Sequence, residues 1–473
     1  MLFMNDVSLV SAEFDRHLPI GIVRAGWAVI AVILLWTLFT TENATATDDN
    51  RNRHAPFADF GYLPPPGQYS GRLFKLSQEY PATSPDSSEL PNFLQIDFKQ
   101  KWREYMLSAR DYCFAGNTGA KNVEDDFDVA SQKPVRWYHI PWQHFGQFGR
   151  EGVHGLTKEA PISPGQLAWS QHSKGQTYAV AFYNAHGGYL IGTVWKDPDK
   201  PELHDIRFPI GTVIFKLLFA DIPIDEVPFL TNPLKWNAYI TDSFDSTQRR
   251  VREVALIQMD VMVKDERAPS QWVFGTFQYN GELNRRNPWE NLVPVGIQWG
   301  NDPDIRDHNS NSTPIRTVRN LALKETIIND DEKELPPTHL GWNGRLNGPV
   351  DNPMSSCMSC HATAQVREKS PLSPLFQSNP PIPGTDNWMR WFKNYKCGER
   401  FDADVPVADF SLQLAISIKN FQVWKGEARG YSATNYKHMA TEAQAKLGSK
   451  YADTVTEDGV PKQVPKIQRN FAE

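Results

Sequence analysis

Four runs rich in β-branched and aromatic residues limit the fold of this chain more than any other feature: TYAVAFYN (177–184), GTVIFKLLF (211–219), VREVALIQMDVMVK (251–264) and SQWVFGTFQYNG (270–281). Each is bounded by Gly, Pro, Asn or Asp and spaced as strands of an antiparallel sheet are. Strict alternation in the third run places Ala255, Ile257, Met259, Val261 and Val263 on one face, and Val254, Leu256 and Met262 with Gln258 and Asp260 on the other. That strand is expected to be packed on one side and only partly on the other. The expected class is α+β: a mainly antiparallel sheet with loops and a few peripheral helices.

The flanking sequence sets the expected organisation. With 473 residues, roughly two or three folding units are expected. Arg16 and Arg24 precede an uncharged stretch, 25–41, which is followed by Ala44-Thr45-Ala46, a small-x-small pattern suited to signal-peptide cleavage. Segment 1–46 is therefore expected to be an export signal, or an uncleaved anchor whose Trp27 and Trp36 sit near membrane interfaces. Segment 47–136 is expected to be a Pro/Ser-rich linker and helical arm, because Phe93, Ile96, Phe98, Trp102, Tyr105 and Met106 recur at near-helical spacing. A β-rich domain is expected over 137–366 and a C-terminal extension over 367–473, with a helix at 441–448. The polar stretch 301–353 is expected to be loop, and a partner-docking surface is the role considered for it. A formal charge of -6 offers no general attraction to nucleic acid.

Only four cysteines are present, and two fall in Cys357-Met358-Ser359-Cys360-His361. Two thiols one helical turn apart can reach both vinyl groups of a haem, and an imidazole next to the second thiol can reach its iron. The motif therefore predicts one covalently attached haem c, with Cys357 and Cys360 as thioethers and His361 as proximal ligand. Zinc would need two further ligands, and no second close cysteine pair exists. A thioredoxin-like pair would follow a strand in a βαβ unit, whereas a long loop comes first here. Cys113 and Cys397 are left either as one disulfide or as two free thiols.

The sixth iron ligand separates electron carriage from chemistry on a small ligand. Met389 and Met439 are the downstream methionines, with His438 a lesser candidate; His139, His144 and His154 stand upstream. Packing among aromatic residues is the plainer reading of Met389, and a surface or aromatic-packed position that of each upstream histidine.

The order of elements resembles the cytochrome P-460 and cytochrome c′-beta family. The matching residues are Gly211, Thr212, Val213 and Lys216 in one strand; Met262, Val263, Lys264 and Asp265 at the end of another; then Trp272 and Phe274, and finally the cysteine motif. The match spans about residues 178–365 and is interrupted by insertions before Val254 and before Cys357. The resemblance implies an exported haem protein on an antiparallel sheet. It implies either a cross-link from Lys216 to the porphyrin, as in hydroxylamine-oxidising members, or, as in cytochrome c′-beta, an iron open on one side that binds nitric oxide or carbon monoxide. A lysine stem that snorkels to solvent is the plainer reading of Lys216.

The leading functional expectation is a periplasmic, soluble or membrane-anchored cytochrome that passes electrons to a redox partner protein or to a small oxidant or reductant. An oxidoreductase or sensor for small nitrogen oxides is the alternative, and a binding module with structural haem is the third.

Overall fold

The computed structural model describes residues 62–86, 89–143, 150–241, 248–306, 315–367 and 369–425. The expected signal or anchor, His144, His438, Met439 and the helix at 441–448 lie outside these residues. No helix among them is long and apolar enough to cross a membrane.

The strands are β1 (Trp137–Tyr138), β2 (Thr157–Ile162), β3 (Gly175–Asn184), β4 (Val213–Ala220), β5 (Lys235–Thr241), β6 (Arg249–Lys264), β7 (Trp272–Tyr279), β8 (Leu292–Gln298) and β9 (Thr326–Ile328). Among the described residues they form one nine-stranded sheet, ordered β1-β3-β4-β6-β7-β8-β9, with β2 also on β3 and β5 also on β6. Every pairing is antiparallel. The four expected strands are β3, β4, β6 and β7, and they sit side by side at the centre of the sheet, where both faces are covered and apolar runs are favoured.

The helices are α1 (Trp102–Phe114), α2 (Ala185–Val194), α3 (Cys357–His361), α4 (Asp386–Met389) and α5 (Leu412–Trp424). The near-helical spacing that begins at Phe93 resolves into a short 3-10 turn at Asn92–Gln95 and then α1. Tyr105, Met106, Ala109 and Cys113 point one stripe of α1 into the core on one sheet face. The helix approaches β7 at Gly275, where an added Cβ would lie 2.3 Å from Met106 Sδ. Any larger residue there would have to displace the end of the Met106 side chain.

The opposite face carries a second core, built from Tyr183, Ile214, Met262 and Phe274 of the sheet with Trp388, Phe392, Leu414 and Phe421 from the C-terminal segment. The described parts of the arm and of the C-terminal segment thus pack on the two faces of the sheet.

One expectation needs correction, and two others gain detail. Alternation in β6 is broken where it pairs with β4: Leu218 faces Gln258 but Phe219 faces Leu256, leaving Ile257 as an extra residue. This bulge turns Val254 and Leu256 into the same core as Ile257, Met259, Val261 and Val263, and leaves Ala255 out of it. The polar stretch 301–353 is mostly loop as expected, yet among its described residues 338–350 are buried. Arg345 explains how: its guanidinium donates to the carbonyls of Asn301 (2.6 Å), Trp342 (3.1 Å), Asp302 (2.8 Å) and Ile305 (2.9 Å), satisfying backbone that no strand pairs. Cys113 and Cys397 are both free; Cys113 lies in the α1 core, and Cys397 lies beside Lys264.

Candidate cofactor cavity

The second face of the sheet is not filled throughout. A cavity of about 320 Å³ lies between it, the loop 347–356, α3 and the start of α5, within the roughly 300–1,000 Å³ range of small-molecule and cofactor sites. Its floor consists of two cross-strand rows. Ile214, Met262 and Phe274 are register partners and form an apolar row; two residues along, Lys216, Asp260 and Thr276 are partners and form a polar one. Period-two alternation puts both rows on one face.

α3 makes one wall. Ser356 caps it: its Oγ accepts from Ser359 N–H at 3.1 Å, while Ser359 Oγ accepts from Ser356 N–H at 2.8 Å. This reciprocal cap starts a helix too short to be stable alone. Gln298 Oε1 accepts from Met358 N–H, and the Leu346 carbonyl accepts from Cys357 N–H, so β8 and the buried insertion fix the helix. Cys357 Sγ lies 3.8 Å from Thr276 Oγ1, and the His361 ring lies 5.1 Å from the Phe274 ring. Four helical residues rise roughly 6 Å, close to the roughly 7 Å between alternate residues of a strand. α3 therefore runs along β7, with its first cysteine over the polar row and its histidine over the apolar one.

Cys357, Cys360 and His361 all line the cavity. His361 Nδ1 is 2.7 Å from the Phe410 carbonyl and acts as the donor there, which leaves Nε2 as the lone-pair nitrogen. Burial pulls the imidazole down to about 4, outweighing the Phe410 hydrogen bond, and nearby Lys216 adds to the effect. The ring is neutral at neutral pH. Burial pushes the Cys357 thiol well up, and the Cys360 thiol up to about 11. Neither is an activated thiolate, as attack on a disulfide would require.

The polar row has its own charge balance. Lys216 Nζ lies 3.4 Å from Glu159. Burial lowers the lysine pKa, but Glu159, Asp260 and Asp351 outweigh it and hold the amine as an ammonium. The carboxyl of Asp260 accepts from Thr276 Oγ1 (2.9 Å) and Gln258 Nε2 (2.9 Å), and the same amide donates to Asp351 at 2.9 Å. Burial and then the neighbouring Asp351 push Asp260 up to about 7, and burial raises Asp351 too. Both side chains border the cavity, so water entering it reduces these shifts.

The structure thus brings together Lys216, Cys357, Cys360 and His361. Met389 is elsewhere: it is 4% exposed in the aromatic core with Trp388 and Trp391 and does not line the cavity. His139 is buried, accepts Ser77 N–H at Nδ1, and packs on Phe74 and Phe182. His154 stacks on Trp236 and bonds the carbonyls of Asn237 and Glu124. Neither borders the cavity. In the sequence Gln258 and Asp260 stand out only as polar breaks in an apolar strand, which is their one signal. Asp351, Thr276 and Phe410 carry no such signal.

Two thiols and a neutral, oriented imidazole on one cavity wall are a donor set that fits a covalently attached haem. Among the described residues no group of three or more His, Cys, Asp or Glu side chains is arranged to hold a metal ion. Comparison with family models, curated proteins and solved structures gives no match.

Proposed function

We propose that this chain is a c-type haem protein with a redox role, and that the haem lies in the cavity against α3. The observation that carries the reading is the pairing of His361 Nδ1 with the Phe410 carbonyl beside two cavity-facing thiols. That bond selects the tautomer in which Nε2 can bind iron, and it raises the basicity of the ligand. Bound there, haem supplies a one-electron couple at iron. The chain anchors it through Cys357 and Cys360, orients the imidazole, and keeps protonatable groups within the same cavity. Export to the periplasm is part of the proposal, since thioether formation in bacteria belongs to that side of the membrane.

Between carrying electrons and acting on a small nitrogen oxide, the polar row favours the second. Asp260, Asp351 and Glu159 with Lys216 line the same cavity as His361, and groups able to hold or release a proton serve a reaction that moves protons with electrons. Lys216, held as an ammonium, is the counter-charge of these acids in this proposal; a link from its nitrogen to the porphyrin is the alternative.

The test is expression of the full chain with c-type maturation proteins, followed by intact mass and the ferrous spectrum with and without carbon monoxide. Addition of a thiol to a vinyl group loses no atoms, so the mass should rise by that of one intact haem. Cys357→Ser with Cys360→Ser should abolish the gain. A spectrum that moves with carbon monoxide supports small-ligand chemistry, and an unmoved low-spin spectrum supports electron transfer. A preparation with no covalent haem overturns the reading.

A further inference from the structure

The Phe410 carbonyl that meets His361 belongs to an unusual piece of backbone. Asp409 and Phe410 are consecutive non-glycine residues with φ of 45° and 64°. Such left-handed non-glycine residues are strained and persist only where their surroundings over-determine them. Here the surroundings are the Asp409 carboxylate and what holds it.

That carboxylate is fully buried. Lys264 Nζ donates to both of its oxygens, at 2.8 and 2.7 Å; Trp272 Nε1 donates at 3.2 Å, and Phe208 N–H donates at 2.7 Å. Cys397 Sγ lies 3.7 Å away. Lys264 is 1% exposed, and its ammonium also sits 4.8 Å from the Trp272 ring centre. Lys264 and Trp272 are cross-strand partners at the β6–β7 end. A buried ion pair gains little over an apolar substitute of the same volume, so stability alone is a poor reason for one at this point. Its position suggests another: the rigid sheet end grips Asp409, and the next residue presents its carbonyl to His361 at 2.7 Å.

We propose that Asp409, clamped by Lys264, is a positioning residue for the iron-binding imidazole, holding the Phe410 carbonyl in line with His361 Nδ1. The inference rests on the haem reading above. Loosening the clamp weakens the hydrogen bond, makes the imidazole a poorer donor, and leaves the covalent attachment untouched, because Cys357 and Cys360 belong to α3.

The experiment is Asp409→Asn in the full, haem-loaded chain, with Lys264→Gln as a second variant should the first fail to fold. Asp402→Asn is the control, since that carboxylate is also largely buried and ion-paired, with Arg390, but its other hydrogen bonds include those from Gln365 and Ser370. Three readouts separate the possibilities: haem per chain by mass, the iron–imidazole stretching frequency of the ferrous protein by resonance Raman, and the reduction potential. The clamp variants should keep one haem per chain, lower the stretching frequency and raise the potential, while the control matches the parent. Parent-like frequency and potential in a haem-loaded clamp variant overturn the inference, as does an equal shift in the control. A parent chain without covalent haem overturns the underlying reading instead.

Discussion

The two faces of the central sheet are made from alternate residues of the same strands, yet they do opposite things. On one face Ile257, Met259, Val261 and Val263 close against α1 and an aromatic group that includes Phe127 and Trp236. On the other, Gln258, Asp260 and Met262 look toward loops and α3, and a cavity remains. The first face stores folding free energy. The second gives part of it up, in unfilled volume and crowded charge, and such concessions concentrate where a protein handles a ligand.

The sharpest break of this comparison is a pair of methionine truncations on β6. Met259 is completely buried in the closed core, and Met262 is 7% exposed at the cavity edge. Met259→Ala should destabilise the chain by about 2–5 kcal/mol, the range for buried methionine to alanine. Met262→Ala enlarges space that already exists and should cost less than half as much in denaturant titrations of the haem-free chain. Equal losses would mean that the second face is packed as tightly as the first.

Why the sequence showed one face better than the other has a physical reason. β3, β4, β6 and β7 were legible because apolar runs between turn residues have few other uses. The face assignment within β6 failed at Ile257, since a bulge is one residue of extra backbone and leaves no compositional trace. Cys357, Cys360 and His361 were legible because rare residues at fixed spacing carry chemistry by themselves. Phe410 was not legible, because it acts through a carbonyl that every residue owns. Asp351 was hidden in a stretch whose polar residues marked it only as loop; there Gln258 ties its carboxylate, and Gly348 N–H caps it at 2.9 Å.

A change of pH tests the second face with a smaller effect. Asp260 has its pKa raised, to about 7, by burial and by Asp351. Between about pH 4 and pH 7 the folded chain therefore keeps a proton that the unfolded chain has released. The stability contributed by the protonated acid is whole below about pH 4 and is lost as pH rises through about 7. Asp260→Asn stays neutral throughout, so the stability of the haem-free variant should fall less over that window than the parent's. Parallel profiles would mean that water fills the cavity and leaves Asp260 an ordinary carboxylate.

Lys216 gives the smallest expected change in stability and the finest test of the charge balance. Its contact with Glu159 is 3.4 Å, and roughly a quarter of each side chain is exposed, so the pair is worth at most about 1 kcal/mol. Lys216→Met should change the midpoint of unfolding at pH 5 only slightly, because the methionine chain covers the same apolar floor beside Ile214 and Asp260 is protonated there. The effect should grow with pH. Removing the ammonium takes away the one attraction from β4 that favours the charged forms of Asp260 and Asp351, so their protons are held to higher pH and the loss of stability moves upward with them. Carbon-13 titration of the two side-chain carboxyls reads this directly. An unmoved Asp260 midpoint would place Lys216 outside the polar row electrostatically, despite sitting opposite Asp260 in the sheet register, and would favour a lysine that serves the cavity in some way other than as a counter-charge.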